Sequence, residues 1–231
     1  MKTLGLIGGM SWESTALYYR IINTEIRQAL GKLHSARLLL YSFDFEEIAV
    51  LQQAGAWDEA AQRMIAAAQA LKTAGAEVLV ICTNTMHKMA QEIEVATRLP
   101  LLHIADCAAA AIKKHGLTKV GLLGTQFTME QPFYKQRLEE KFGIQVVVPE
   151  AEEQLLVHHI IYEELCQGII RADSRKHYET VMARLKSAGV QGIILGCTEI
   201  TLLIGDTDMH GLPLFDTTAI HARYAAHYAL Q

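Results

Sequence analysis

Gly192-Ile193-Ile194-Leu195-Gly196-Cys197-Thr198-Glu199 is a short apolar run that stops on a cysteine followed by two polar residues. Four to eight apolar residues bounded by a turn signal read as a buried parallel strand, so this one is expected to carry Cys197 to the end of a sheet. A second stretch lines up with it without a gap, Ala74 to Thr85 on Ala188 to Glu199. In that register Thr83 stands opposite Cys197, an offset of 114 residues, and Cys82 stands opposite Gly196.

The likeness recurs upstream. Lys2-Thr3-Leu4-Gly5-Leu6-Ile7-Gly8-Gly9 resembles Thr118-Lys119-Val120-Gly121-Leu122-Leu123-Gly124-Thr125, with Gly5 and Gly121 offset by 116. Two matches at nearly one spacing argue for an internal duplication. The expected fold is therefore α/β: two similar lobes, each a mostly parallel sheet flanked by helices, related by a pseudo-twofold axis. From the period alone, residues 1–100 plus 207–231 are assigned to the first lobe and 101–206 to the second. Small ligands favour clefts between lobes, which puts the expected chemistry between Thr83 and Cys197.

Composition narrows the function. A 231-residue chain with half its residues apolar suits a packed globular protein. A net charge of −4 without a Lys/Arg run gives no broad attraction for nucleic acid or anionic membrane. The chain enters a strand at once and holds no apolar run of membrane-spanning length, so a cytoplasmic protein is expected. Four dispersed cysteines are expected to be reduced thiols. The ten histidines form no H-E-x-x-H pattern, and no metal site is expected.

In chain order, a strand at Leu4–Ile7 leads through Gly8-Gly9-Met10-Ser11 into a helix from Trp12 to Leu30, capped by Ser11. This turn offers amide groups to an anion but lacks the dinucleotide spacing G-x-G-x-x-G. Strands are expected at 37–43, 78–82, 101–104, 119–124, 145–148, 191–195 and 212–215. Helices are expected at 57–73, 86–98, 106–115, 129–142, 152–166 and 175–187, with a last one running through Tyr228. The final strand and helix are expected to return to the first lobe. Strand-then-helix alternation implies parallel sheets with right-handed crossovers.

A thiol is a competent base near neutral pH, and Cys197 is expected at a strand's C-terminal end, where open α/β sheets place their crevices. Side chains alternate along a strand, so Cys82 and Thr83 face opposite ways. The repeat turns Thr83 to the cleft and leaves Cys82 packed beneath a helix. Cys107 and Cys166, each within an expected helix, read as bystanders. His87 reads as a ligand-orienting or a capping residue.

Cys82-Thr83-Asn84-Thr85-Met86-His87-Lys88, Leu195 to Glu199, Gly5 to Ser11, Leu123 to Met129 and Phe215-Asp216-Thr217-Thr218 resemble, in order, motifs of the aspartate/glutamate racemase superfamily. The resemblance implies cofactor-independent catalysis by two cysteines that face the substrate α-carbon from opposite sides. It also implies that Met10, Gln52, Asn84, Thr85, Thr125, Thr128, Thr198 and Glu199 hold an acidic amino acid, and that the protein is a homodimer. This chain has Thr83 where the first cysteine belongs. An alcohol is a far weaker acid than a thiol, so Cys197 is expected to abstract the proton alone, with Thr83 as a weak donor; the resemblance implies that this proton is the L-enantiomer's. Competing expectations are a one-cysteine decarboxylase or isomerase of the arylmalonate or maleate type, and a ligand-binding homologue without turnover.

Overall fold

The computed structural model describes residues 1–205 and 211–231, and its contacts divide them into two compact units, 1–104 with 221–231 and 105–220. In the first unit, strands β1 (Leu4–Gly8), β2 (Leu38–Ser42), β3 (Val78–Ile81) and β4 (Leu101–Leu102) form a parallel sheet in the order β2-β1-β3-β4. Helices α1 (Trp12–Leu30), α2 (Phe45–Gln53), α3 (Trp57–Thr73) and α4 (Ala90–Thr97) connect these strands.

Alternation along the strands builds two cores, one on each face. Ile7, Leu79 and Ile81 pack beneath the alanine-rich face of α3, whereas Leu4, Leu6, Val78 and Val80 pack against α1 and the end of the chain. Gly5 is one place where packing demands glycine, because a Cβ there would stand 2.8 Å from Ala76 Cβ.

The second unit opens with α5 (Ile104–Lys114) and repeats the plan. Strands β5 (Lys119–Gly124), β6 (Gln145–Val147), β7 (Ile193–Gly196) and β8 (Leu214–Asp216) form a parallel sheet in the order β6-β5-β7-β8. Its helices are α6 (Gln126–Glu130), α7 (Pro132–Phe142), α8 (Ala151–Glu163), α9 (Ala172–Ser187) and α10 (Ile200–Ile204), and α11 (Thr217–Ala229) follows β8. The ladders bear out the duplication residue by residue. Gly5 pairs with Leu79 in the first sheet, and Gly121 pairs with Ile193 in the second. The sequence offsets of 116 and 114 convert one pair into the other, so Thr83 and Cys197 each stand two residues beyond an equivalent rung, Ile7–Ile81 and Leu123–Leu195.

Three expectations are corrected. The single helix 129–142 is two helices, because Pro132 forces Gln131 into an extended conformation (φ −75°, ψ 146°) and restarts the helix at its N1 position. The expected strand 101–104 pairs only at Leu101 and Leu102, after which the chain turns into α5 at Ile104. The last strand does not rejoin the first lobe: β8 pairs with β7 through Ile193–Leu214 and Ile194–Phe215, and only the chain from His221 groups with the first unit. The expected crossing at 206/207 lies outside the described residues.

Candidate functional site

The sequence places its candidates at the C-terminal ends of β1 and β3 in the first unit and of β5 and β7 in the second. After β1 the chain turns sharply at Gly9, whose φ is 86° and whose missing Cβ would lie 2.2 Å from Phe43 O. The Gly9 N–H donates to Thr15 Oγ1 at 2.8 Å, and that hydroxyl donates to Ser11 O at 2.9 Å. Ser11 Oγ in turn accepts from Ser14 N, capping α1 as the sequence implied. Met10 is held buried at this turn.

Beyond β3 the alternation falls as expected. Cys82 is buried among Leu6, Val80 and Leu102, and burial pushes its thiol far above the ordinary range, so it stays protonated. Thr83 is partly exposed, and Asn84 and Thr85 are buried next to it. Gln52, also buried, donates from Nε2 to Met86 Sδ at 3.1 Å, which ties the end of α2 to the 3₁₀ turn Thr85–Met89.

His87 belongs to that turn and is fully occupied. Its Nδ1 lies 2.8 Å from Thr83 O and its Nε2 3.2 Å from the Ile104 N–H. A carbonyl only accepts and an amide N–H only donates, so the ring is the neutral Nδ1–H tautomer. Its role is to fix the chain around Thr83. A second buried histidine follows the same logic: His221 Nε2 donates to Leu102 O at 2.8 Å and Nδ1 accepts from Tyr18 OH at 2.8 Å. Burial, with His87 nearby, lowers the His221 pKa to about 3. The first unit thus keeps both His87 and His221 neutral.

In the second unit, Thr125 caps α6 by accepting from Thr128 N at 3.3 Å, and the two hydroxyls lie 3.2 Å apart. Cys197, of intermediate exposure, follows β7 directly, and its Sγ donates to Glu199 Oε2 at 2.9 Å. Burial, the Glu199 charge and Cys166 hold its thiol well above the ordinary range, so in the unliganded protein it is a neutral S–H. Thr198 Oγ1 lies 3.0 Å from Thr218 Oγ1, and Thr217 Oγ1 donates to Leu195 O at 2.8 Å, tying α11 to the end of β7.

Thus Met10, Gln52, Thr83, Asn84 and Thr85 gather at one edge of the first sheet, and Thr125, Thr128, Cys197, Thr198 and Glu199 at the corresponding edge of the second. Sequence reasoning missed the surroundings of Cys197. Cys166 lies on the 3₁₀ turn Leu165–Gln167 and helps to raise the Cys197 thiol. Tyr162 and Tyr178, both pushed up by burial first, stand close enough to Cys197 for its thiolate form to raise them further. Tyr162 lies on α8, Tyr178 on α9 and Cys166 in the turn between them, which ends at the left-handed Gly168. Thr217 and Thr218 stood in a quoted motif, yet no spacing pointed them at Cys197's strand. Among the described residues, no group of three or more His, Cys, Asp or Glu side chains is placed to hold a metal ion, and no helix is long and apolar enough to cross a membrane.

Two like parallel sheets, each presenting hydroxyl and amide groups and one of them a thiol at its C-terminal edge, define a duplicated α/β protein with its functional groups on the strand ends. The chain belongs to the Asp/Glu/hydantoin racemase family, whose model matches residues 7–225. It is similar over its full length to a candidate Asp/Glu racemase from Yersinia pestis (60% identity, TM-score 0.93, all of both chains). It is also similar to an aspartate racemase homologue from Pyrococcus horikoshii (36% identity, TM-score 0.83, all of both chains). A broad specificity amino-acid racemase from Bacillus subtilis shares 25% identity over 72% of this chain and 70% of its own.

Proposed function

We propose that this protein is a cofactor-independent racemase of acidic amino acids, aspartate or glutamate, in which Cys197 removes the α-proton of the L-enantiomer. The observation that carries the reading is the Cys197–Glu199 pair at the position that the duplication matches to Thr83. In this reading Met10, Gln52, Asn84, Thr85, Thr125, Thr128 and Thr198 hold the carboxylates, and Glu199 draws in the α-ammonium.

The raised thiol fits substrate-assisted activation. A cationic ammonium beside Glu199 cancels the charge that opposes ionisation, so the Cys197 thiol releases its proton to water and becomes a thiolate only when the amino acid arrives. The α C–H bond then breaks, its electron pair stays on carbon as an enolate-like carbanion, and the proton becomes S–H on Cys197. Returning that proton regenerates the L-form. Delivery from the opposite face breaks the Thr83 O–H bond and leaves an alkoxide that must recover a proton from water. The reference pKa of a thiol is roughly 8.5, and an alcohol is a far weaker acid, so inversion is slower than return.

Equal free energies of the enantiomers forbid a net preference in direction, so the asymmetry shows as isotope exchange. In heavy water, followed by proton NMR, L-aspartate or L-glutamate should lose its α-hydrogen signal faster than D-isomer accumulates. Matching rates of exchange and inversion from both enantiomers would remove the one-thiol mechanism.

A further inference from the structure

The first unit carries a cavity of about 550 Å³ lined by one face of α1 and the loop that follows it, and none of the candidate substrate-holding residues lines it. Its shape is built in by Asn23, whose Nδ2 donates to Tyr19 O at 2.8 Å and whose Oδ1 accepts from Ala36 N at 2.9 Å. Gly31 N donates to Arg27 O at 2.8 Å and His34 N to Gly31 O at 3.3 Å, which folds the loop back along the helix. Lys32 takes a left-handed conformation (φ 50°) there, a cost of about 1 kcal/mol for a residue with a Cβ.

The lining is cationic on one side only of the charge balance. Arg20, Arg27 and Lys32 line the cavity with His34, and no Asp or Glu does. The ion pairs of this unit lie elsewhere: Arg63 pairs with Glu47 and Glu59, and Glu25, the acidic residue nearest on α1, faces Arg223 and His227. Three uncompensated positive charges around one concavity repel one another until an anion enters. The negative end of the α1 dipole opposes such an anion by roughly 0.3–1 kcal/mol, less than one charge-assisted hydrogen bond contributes, about 1.5–3 kcal/mol.

Spacing narrows the ligand. Arg20 and Arg27 are seven residues apart on one helix, about 10 Å at 1.5 Å per residue. A chain of phosphates spans that rise and offers a charge to each guanidinium. The ring of Tyr19 and the fully exposed Leu33 side chain offer an apolar rim for a planar group. The volume falls in the range of small-molecule sites, roughly 300–1,000 Å³. We propose that this cavity is a second binding site, one for a phosphorylated small molecule of the nucleoside di- or triphosphate type.

The test is titration calorimetry of the full-length chain with adenosine triphosphate, inorganic tripolyphosphate and adenosine, at constant ionic strength without added metal. Saturable binding of the triphosphate, weaker binding of tripolyphosphate and none of adenosine are expected. The double variant Arg20→Ala, Arg27→Ala should weaken triphosphate binding by roughly tenfold or more, the loss of about one charged contact, with an unchanged melting temperature and unchanged α-hydrogen exchange in the absence of nucleotide. The proposal is overturned by no saturable binding, by undiminished affinity in the double variant, or by equal binding of sulfate at matched ionic strength. Because the exchange assay is read separately, loss of this site and loss of the racemase reading are distinguishable.

Discussion

The ends of β3 and β7 occupy equivalent rungs of duplicated sheets, yet they are electrostatic opposites. Around Thr83 the chain is fixed by His87, whose hydrogen bonds demand a neutral ring, and His221 is kept neutral nearby. Around Cys197 stand a carboxylate at 2.9 Å, a second thiol and two buried phenols. The difference teaches that a duplicated scaffold supplies two positions but not two equal chemistries. The half that kept the sulfur also carries the groups that tune it, and the half with the alcohol is built to hold its shape.

The largest effect should come from removing the sulfur. Cys197→Ala is expected to lower both α-hydrogen exchange and inversion by roughly a thousandfold or more, whereas Thr83→Ala should lose inversion and keep exchange of the L-form. If the two variants behave alike in the NMR exchange assay, the halves are chemically equal after all.

The next effect concerns the neutral half. An unfolded imidazole titrates near 6.5 and His221 in the fold near 3. Between those values the unfolded chain holds the extra proton, so stability falls as pH drops below about 6.5 and stops falling near 3. The whole loss is at most roughly 5 kcal/mol. Melting temperatures across that window should flatten in His221→Gln, whose amide can still donate to Leu102 O and accept from Tyr18 OH.

A smaller effect should sharpen the charged half. Glu199→Gln removes a charge that raises the Cys197 thiol, so the thiol should ionise at lower pH. Alkylation of Cys197 by iodoacetamide at neutral pH should then run faster than in the parent, while racemisation slows for want of the ammonium partner. The mildest change, Thr83→Ser, keeps the hydroxyl and should leave the ratio of exchange to inversion within about threefold; Thr83→Cys should bring that ratio towards one.

The sequence made legible what strand periodicity and duplication carry. Gly5 and Gly121, with Leu79 and Ile193, could be matched by eye because buried parallel strands are nearly continuous apolar runs. Cys82 and Thr83 separated correctly by alternation alone. Pro132 is a readable break, since it disfavours a helical Gln131 and suits the first position of a new helix. The return of β8 to the second sheet was not readable, since which edge a last strand joins is settled by long-range pairing. Nor was the company of Cys197: Cys166, Tyr162 and Tyr178 sit on helices and turns whose local patterns describe only their own amphipathic faces.

With its Nδ1 on Thr83 O and its Nε2 on the Ile104 N–H, His87 gives on one side and takes on the other, as a peptide unit does. Backbone pairing between β3 and β4 stops at Val80–Leu102, and the imidazole serves as a substitute rung past that point. The two strands can therefore part beyond Leu102 without orphaning their buried backbone groups. Only a side chain with both polarities can fill that gap, so a phenyl or an aliphatic group of equal bulk would leave an amide hydrogen and a carbonyl stranded.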